Sequence, residues 1–381
     1  MFGQEINIGI ITMHKVLNAG SALQAWALCH KINQLGYSCE IIDYLYPNQY
    51  HLSQRQLLEI DYYSIQYWVN RIKYFILYRT KSQKQRFVKF WQSAWKSSVP
   101  YNSPESLLQN PPQYDVYMVG SDQVWNPKCM YGDPSFFCAF ANDKPRISYA
   151  SSFAQANIPE ELYQTYKVLL SEFTSISVRE EGGRELVRLL TGKDAQVVCD
   201  PTILLTKEDY VPLIAKSEIR IKKPYLLAYI LSYAYNPYPT ILEIIKKISK
   251  ERKLPVIYMM ANSVDDYHFG CSITNAGPNE FLSLIANAEC IVTSSFHGVA
   301  FALNFEKEFY TVLTKDANQN NRIYSLLKTV GALDRIIFND SDFIESTSHL
   351  DYKKITENLN DFREKSAEYL KKTLFNITQN I

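Results

Sequence analysis

One apolar strand-like run in the second half of the chain leads into Cys290-Ile-Val-Thr-Ser294-Ser295-Phe-His297-Gly298. A β-branched stretch gives way to hydroxyls, an imidazole and a glycine, and an apolar helical pattern follows. The spacing predicts a strand that turns into a helix, with His297 in the first helical turn. Of the six histidines, it is the best placed to give and take a proton near neutral pH. Ser294, Ser295 and Gly298 would line the same turn as binding groups. No Asp or Glu adjoins His297, so an orienting partner must come from elsewhere. Arg179 ends a second apolar run, Ser175-Ile-Ser-Val-Arg179-Glu180. A guanidinium there is either paired, with Glu180 or Glu181, or it is a fork for a carboxylate or phosphate. Arg322, at the start of a helical stretch ending at Gly331, is a further anion-binding candidate.

Two other turns carry binding types. Asn18, Gly20 and Ser21 follow the first strand-like run, where a helix N-terminus would present N–H groups to an anion. The alternative is an ordinary capping turn. Ser121, Asp122, Gln123, Trp125 and Asn126 follow another strand. Trp125 is expected to offer an apolar platform for a sugar ring, with the polar neighbours meeting hydroxyls. The glycines do not make a dinucleotide fingerprint, and no Asp/His cluster has metal-ligand spacing, so neither a nucleotide cofactor nor a metal is expected.

These residues need strand ends to hold them. Apolar runs at 6–12, 40–45, 116–121, 147–153, 175–179 and 196–200 alternate with helical patterns, and so do runs at 225–231, 256–261, 272–274, 290–294 and 309–313. The alternation predicts an α/β fold with two parallel, Rossmann-like sheets facing across a cleft at their carboxyl ends. The expected layout is a domain at 1–205, a linker at 205–224, a second domain at 222–350, and a C-terminal helix at 351–381 packing back on the first.

The 381 residues are 46% hydrophobic and 21% charged, with 40 Lys+Arg against 39 Asp+Glu, which suits a globular protein and argues against a nucleic-acid partner. Residues 62–104 break that balance. They hold eight cations, Trp68, Trp91 and Trp95, and no Asp or Glu. Three readings stay open: a packed helical excursion with solvated charges, contact with an anionic membrane surface, or contact with RNA or another acidic partner, although no RNA-binding motif is present. The seven cysteines lack CxxC spacing and read as reduced thiols; the start of the chain lacks a basic n-region, so a cytoplasmic protein is expected, peripheral at a membrane if the basic segment docks there.

Taken in series, Asn18-Ala-Gly-Ser-Ala-Leu-Gln-Ala-Trp-Ala-Leu28, Gly120-Ser-Asp-Gln-Val-Trp-Asn126, Ser148-Tyr-Ala-Ser-Ser-Phe153, Ser177-Val-Arg-Glu180, Asp200-Pro-Thr202 and Ser294-Ser-Phe-His-Gly298 resemble the polysaccharide pyruvyl transferase family. The resemblance implies a fold like that of the GT-B glycosyltransferases. It implies transfer of the enolpyruvyl unit of phosphoenolpyruvate onto a saccharide acceptor, expected to be lipid-linked, with closure to a pyruvate ketal. On it, His297 is expected to be the acid or base and Arg179 to bind phosphoenolpyruvate as donor substrate, with no further cofactor. The family's arginine two residues before this histidine is Ser295 here, so its role would pass to Arg322 or Lys315. A nucleotide-sugar glycosyltransferase and a non-catalytic glycan-binding homologue are the alternative readings.

Overall fold

The computed structural model describes residues 6–57, 81–232, 235–259, 269–315, 317–339 and 350–379. Twelve described strands, all in parallel ladders, form two compact units. In the first unit lie β1 (Asn7–Ile11), β2 (Ser38–Ile41), β3 (Val116–Val119), β4 (Arg146–Ser148), β5 (Ser177–Val178) and β6 (Gln196–Val197). In the second lie β7 (Leu226–Tyr229), β8 (Val256–Met259), β9 (Cys271–Ile273), β10 (Cys290–Thr293), β11 (Glu308–Leu313) and β12 (Ile336–Phe338). Strands β3, β7, β8 and β10 are buried along their whole length, as expected for sheets covered on both faces by crossover helices.

The first sheet runs β2-β1-β3-β4, and bridges from Ile147 to Ser175 and from Ser151 to Val178 carry it on to the β5-β6 pair. Connections from β1 wind one way to β2 and the other way from β3 outward. The winding therefore reverses between β1 and β3. The second sheet runs β12-β11-β10-β7-β8-β9, and its winding reverses between β7 and β10. At such a reversal the flanking loops diverge and leave a crevice beyond the strand ends.

Four helices bear on the strand ends and on the basic segment: α1 (Ala19–Gln34), α2 (Lys81–Ala94), α3 (Phe296–Asn304) and α4 (Tyr352–Thr378). Up to Asn360, α4 packs in the second unit, where Asn358 Nδ2 donates to Val330 O at 3.1 Å. From Asp361 it belongs to the first, where Arg363 Nε donates to Ile203 O at 2.7 Å and Ser366 Oγ accepts from Cys199 N at 2.9 Å.

The structure departs from the sequence reading in three places and, in the basic segment, selects among the readings left open. The stretch read as a linker contains a helix, Lys207–Ala215, in spite of Pro212, because Asp209 Oδ2 accepts from both Thr206 N and Thr206 Oγ1 and caps its start. The short edge strand β12 gave too little periodicity to be read. Several strands stop earlier than their apolar runs; past β4, for example, Ala150 N donates to Ser177 Oγ and Phe153 N to Glu180 Oε1. In the basic segment, Arg86 on α2 is committed to packing. It donates to Asn275 O at 2.8 Å and pairs with Glu218 at 3.0 Å and the buried Glu280 at 3.7 Å, while Phe87 and Phe90 are in the core. The described part of the basic segment therefore follows the packing reading, with Lys84 and Lys89 exposed; positions 62–80 lie outside the described residues.

Candidate active site

In the first unit, the residues singled out in sequence converge where the winding reverses. Asn18 is the N-cap of α1, its side chain accepting from Gly20 N at 2.9 Å and Ser21 N at 3.3 Å. Ser21 Oγ then donates to Asp122 Oδ2 at 2.5 Å, joining the loop after β1 to the loop after β3. Asp122 sits at φ 74°, a left-handed conformation that costs a non-glycine residue energy, and strain of this kind concentrates at functional loops. Its turn is secured by Gln123 N on Asp122 Oδ1 and by Ser152 N on Asp122 O. Next to it, Arg179 Nη1 donates to Asp200 Oδ2 at 2.7 Å, and Ser121 Oγ donates to the same oxygen at 2.9 Å. Asp200 Oδ1 takes Thr202 N and Thr202 Oγ1. Burial opposes the charge on Arg179, but Asp200, Asp122 and Glu180 outweigh it and hold the guanidinium's pKa above its ordinary value.

In the second unit, the other reversal holds His297. Thr293 Oγ1 donates to Tyr229 O at 2.6 Å, and Ser294 Oγ exchanges 2.8 Å bonds with both Leu231 N and Leu231 O. These bonds clamp the end of β10 to the end of β7. Ser295 caps α3 by accepting from Gly298 N at 3.3 Å. Gly298 has no room for a side chain, since a Cβ there would lie 2.4 Å from Thr293 Oγ1. His297 is thus fixed in the first turn of α3, 6% exposed, with its ring edge-on to Phe296 at 5.4 Å. The Arg322 guanidinium lies over the same phenylalanine, 5.9 Å from its ring centroid.

Residues 18–316 match the family model described as polysaccharide pyruvyl transferase. The chain belongs to the polysaccharide pyruvyl transferase family. Comparison with curated proteins gave no match. Among solved structures, the glycotransferase of kitacinnamycin is similar at 10% identity and TM-score 0.51, with 98% of this chain and 99% of that one covered. UDP-GlcNAc 2-epimerase from Methanocaldococcus jannaschii is similar at 14% identity and TM-score 0.49, covering 98% and 99%. At these identities the likeness concerns the fold, which is GT-B-like with two Rossmann-like units.

For a pyruvyl transferase family member, the side chains sort differently from their reading in sequence. Trp125 is not a platform for a sugar: it is fully buried, stacks on Phe137 at 5.6 Å, touches Phe153 and Phe173, and donates Nε1–H to Phe136 O at 3.0 Å. Its face is used up by the core. Asn126 caps a short helix by accepting from Lys128 N, and it donates to Gln123 Oε1 at 2.8 Å, which leaves the half-buried Gln123 and Asn18 at the edge of the cluster. The ion-pair partners of Arg179 are Asp200 at 2.7 Å and Asp122 at 3.9 Å, and Glu180 adds only its charge nearby. Glu180 instead accepts from Ser152 Oγ, Phe153 N and Ala154 N, and so pins the Ser148–Phe153 motif. With its side chain 2% exposed and bound to Asp200, Arg179 is not an open fork for a substrate anion. Ser294 and Ser295 likewise spend their hydroxyls on the backbone.

One ionisable group at the same strand ends escaped the sequence reading. His14 Nδ1 meets Thr12 O at 3.0 Å, and its Nε2 meets Asp43 Oδ1 at 3.0 Å; Lys15 pairs with the other oxygen of Asp43. Burial raises the Asp43 pKa, but the bonds from His14 and Lys15 win and leave it below the ordinary carboxylate value. A histidine directly after β1 and an aspartate directly after β2 were the available signal. Parallel neighbours bring such positions together.

Proposed function

We propose that this chain transfers the enolpyruvyl unit of phosphoenolpyruvate to a saccharide of a cell-surface polysaccharide precursor and closes it as a pyruvate ketal. The observation that carries the reading is the family match over residues 18–316. His297, fixed at a strand–helix turn, suits the proton work. As imidazolium it gives its proton to the methylene carbon of phosphoenolpyruvate, and positive charge develops at C2. A sugar hydroxyl attacks C2, and its proton returns to His297. A second hydroxyl then displaces phosphate at C2, and its proton leaves with the phosphate as the hydrogenphosphate dianion. Arg322, beside Phe296, is the arginine proposed to meet the donor's negative charge in place of the one missing at Ser295. Arg179 acts as a positioning residue that holds Asp200 and Asp122.

The test is to mix the protein with phosphoenolpyruvate and galactose-, mannose- or glucose-type acceptors, then follow phosphate release and pyruvate on the sugar. Release should depend on acceptor. His297→Ala should lower turnover by about 10²–10⁴-fold, the range for removing a general acid–base group, without moving the unfolding midpoint. Absence of release with every acceptor, or full turnover in His297→Ala, would overturn the reading.

A further inference from the structure

Cys29 and Cys39 lie away from both reversals. Cys29 is in the second half of α1 and Cys39 is the second residue of the edge strand β2. The Cys39 thiol points at the Cys29 sulfur, with the two Sγ atoms 2.7 Å apart, and it lies 3.6 Å from Cys29 O. A disulfide holds its sulfurs at about 2.05 Å, so the pair has only about 0.7 Å to close. Both residues line a cavity of about 620 Å³ whose walls include Trp26, Tyr37, Trp95 and Lys96. Both cysteines are wall residues of this cavity, although their whole-residue exposures are only 3% and 6%.

We propose that Cys29 and Cys39 form a dithiol modification site that a hydroperoxide entering this cavity oxidises to a disulfide. The Cys39 sulfur, its proton lost to water, attacks one peroxide oxygen. The O–O bond breaks, the other oxygen leaves as hydroxide and is protonated to water, and Cys39 becomes a sulfenic acid. The Cys29 sulfur then attacks the Cys39 sulfur, the S–O bond breaks, and the departing hydroxide takes the Cys29 proton as a second water. Two thiols are oxidised and one peroxide is reduced to two waters. The hydrogen bond with Cys39 and burial push the Cys29 thiol well up, and attack by either sulfur first gives the same disulfide and two waters. The new bond ties α1 to the edge strand beside it.

The experiment is hydrogen peroxide titration of the reduced wild-type protein, followed by alkylation and peptide mapping. The free thiols should fall by two from seven, with a Cys29–Cys39 linked peptide that dithiothreitol reverses. Cys29→Ala should give no linked peptide and should leave Cys39 as a sulfenic or sulfinic acid. The proposal is overturned if exposed Cys271 is oxidised while Cys29 and Cys39 stay alkylatable, or if wild-type Cys39 passes to sulfinic acid without linking. The wild-type map decides the matter even if the variant fails to fold.

Discussion

At Arg179 the surroundings decide the chemistry. A guanidinium this deeply buried needs counter-charge, and it takes it from Asp200 at 2.7 Å and Asp122 at 3.9 Å. Removing the cation leaves the buried Asp200 carboxylate to neutral donors such as Ser121 and Thr202. Arg179→Met is therefore expected to destabilise the protein by about 3–5 kcal/mol, read as a fall in the urea unfolding midpoint. Adding Asp200→Asn to it should recover part of the loss. A single variant as stable as wild type would show that the cluster is not held by this charge. The residue types here were legible in sequence, since Arg, Asp and Ser after apolar runs invite the reading. Their partners were not. Ser21 meets Asp122 across 101 residues, and Arg179 meets Asp200 across 21, while the adjacent Glu180 turns away to hold another loop. Sequence distance gives no measure of such pairings, and it misled again at Trp125, whose polar neighbours hid a ring packed among phenylalanines.

Among the elements, strand order makes the two sites. β-branched and apolar runs predicted nearly every strand and the parallel pairing, because strands buried on both faces have a plain sequence signature. The places where the winding reverses depend on which strands pair, and that is set by packing of the crossover helices. The β10–α3 turn shows how closely the second reversal is fitted. Thr293 Oγ1 is held by Tyr229 O and by Ser295 N at 3.0 Å, so it cannot swing away from a methyl group added at Gly298. Gly298→Ala is expected to cost about 1–3 kcal/mol by overpacking. It should also displace His297 and, on the function proposed above, reduce phosphate release more than phosphoenolpyruvate binding. Thr293→Ala removes the obstructing oxygen, so the double variant should be less damaged than the sum of the two singles, with unfolding midpoints completing the cycle. Simple additivity would mean that the contact does not set the turn.

On the scale of the molecule, the chain's net charge of +1 conceals a basic stretch at 62–104, which leaves the remainder seven units negative. Composition alone left open whether that segregation packs internally or docks something anionic. For Arg86, in its described part, the counter-charge is internal. Arg86 reaches Glu218 and Glu280 within the second unit, and the Glu280 side chain is 4% exposed while that of Glu218 is 55% exposed. Glu280 also accepts from Gly277 N and Glu218 N, so it joins the start of its own helix, the α2 cation and the loop after the helix Lys207–Ala215 in one buried node. The two cations beside Glu218 should then behave differently when neutralised. Arg86→Met leaves a buried carboxylate to its backbone donors, and is expected to destabilise by about 2 kcal/mol, with little relief from added salt because the pair is shielded from solvent. Lys89, whose side chain is 78% exposed, lies 3.5 Å from the solvated Glu218, and Lys89→Met should leave the midpoint where it is. The measurement is urea unfolding of both variants at low and high salt. Equal effects from the two substitutions, or an Arg86 effect that salt abolishes, would mean that the basic segment is a solvated face after all, and would return its charge to the outside of the molecule.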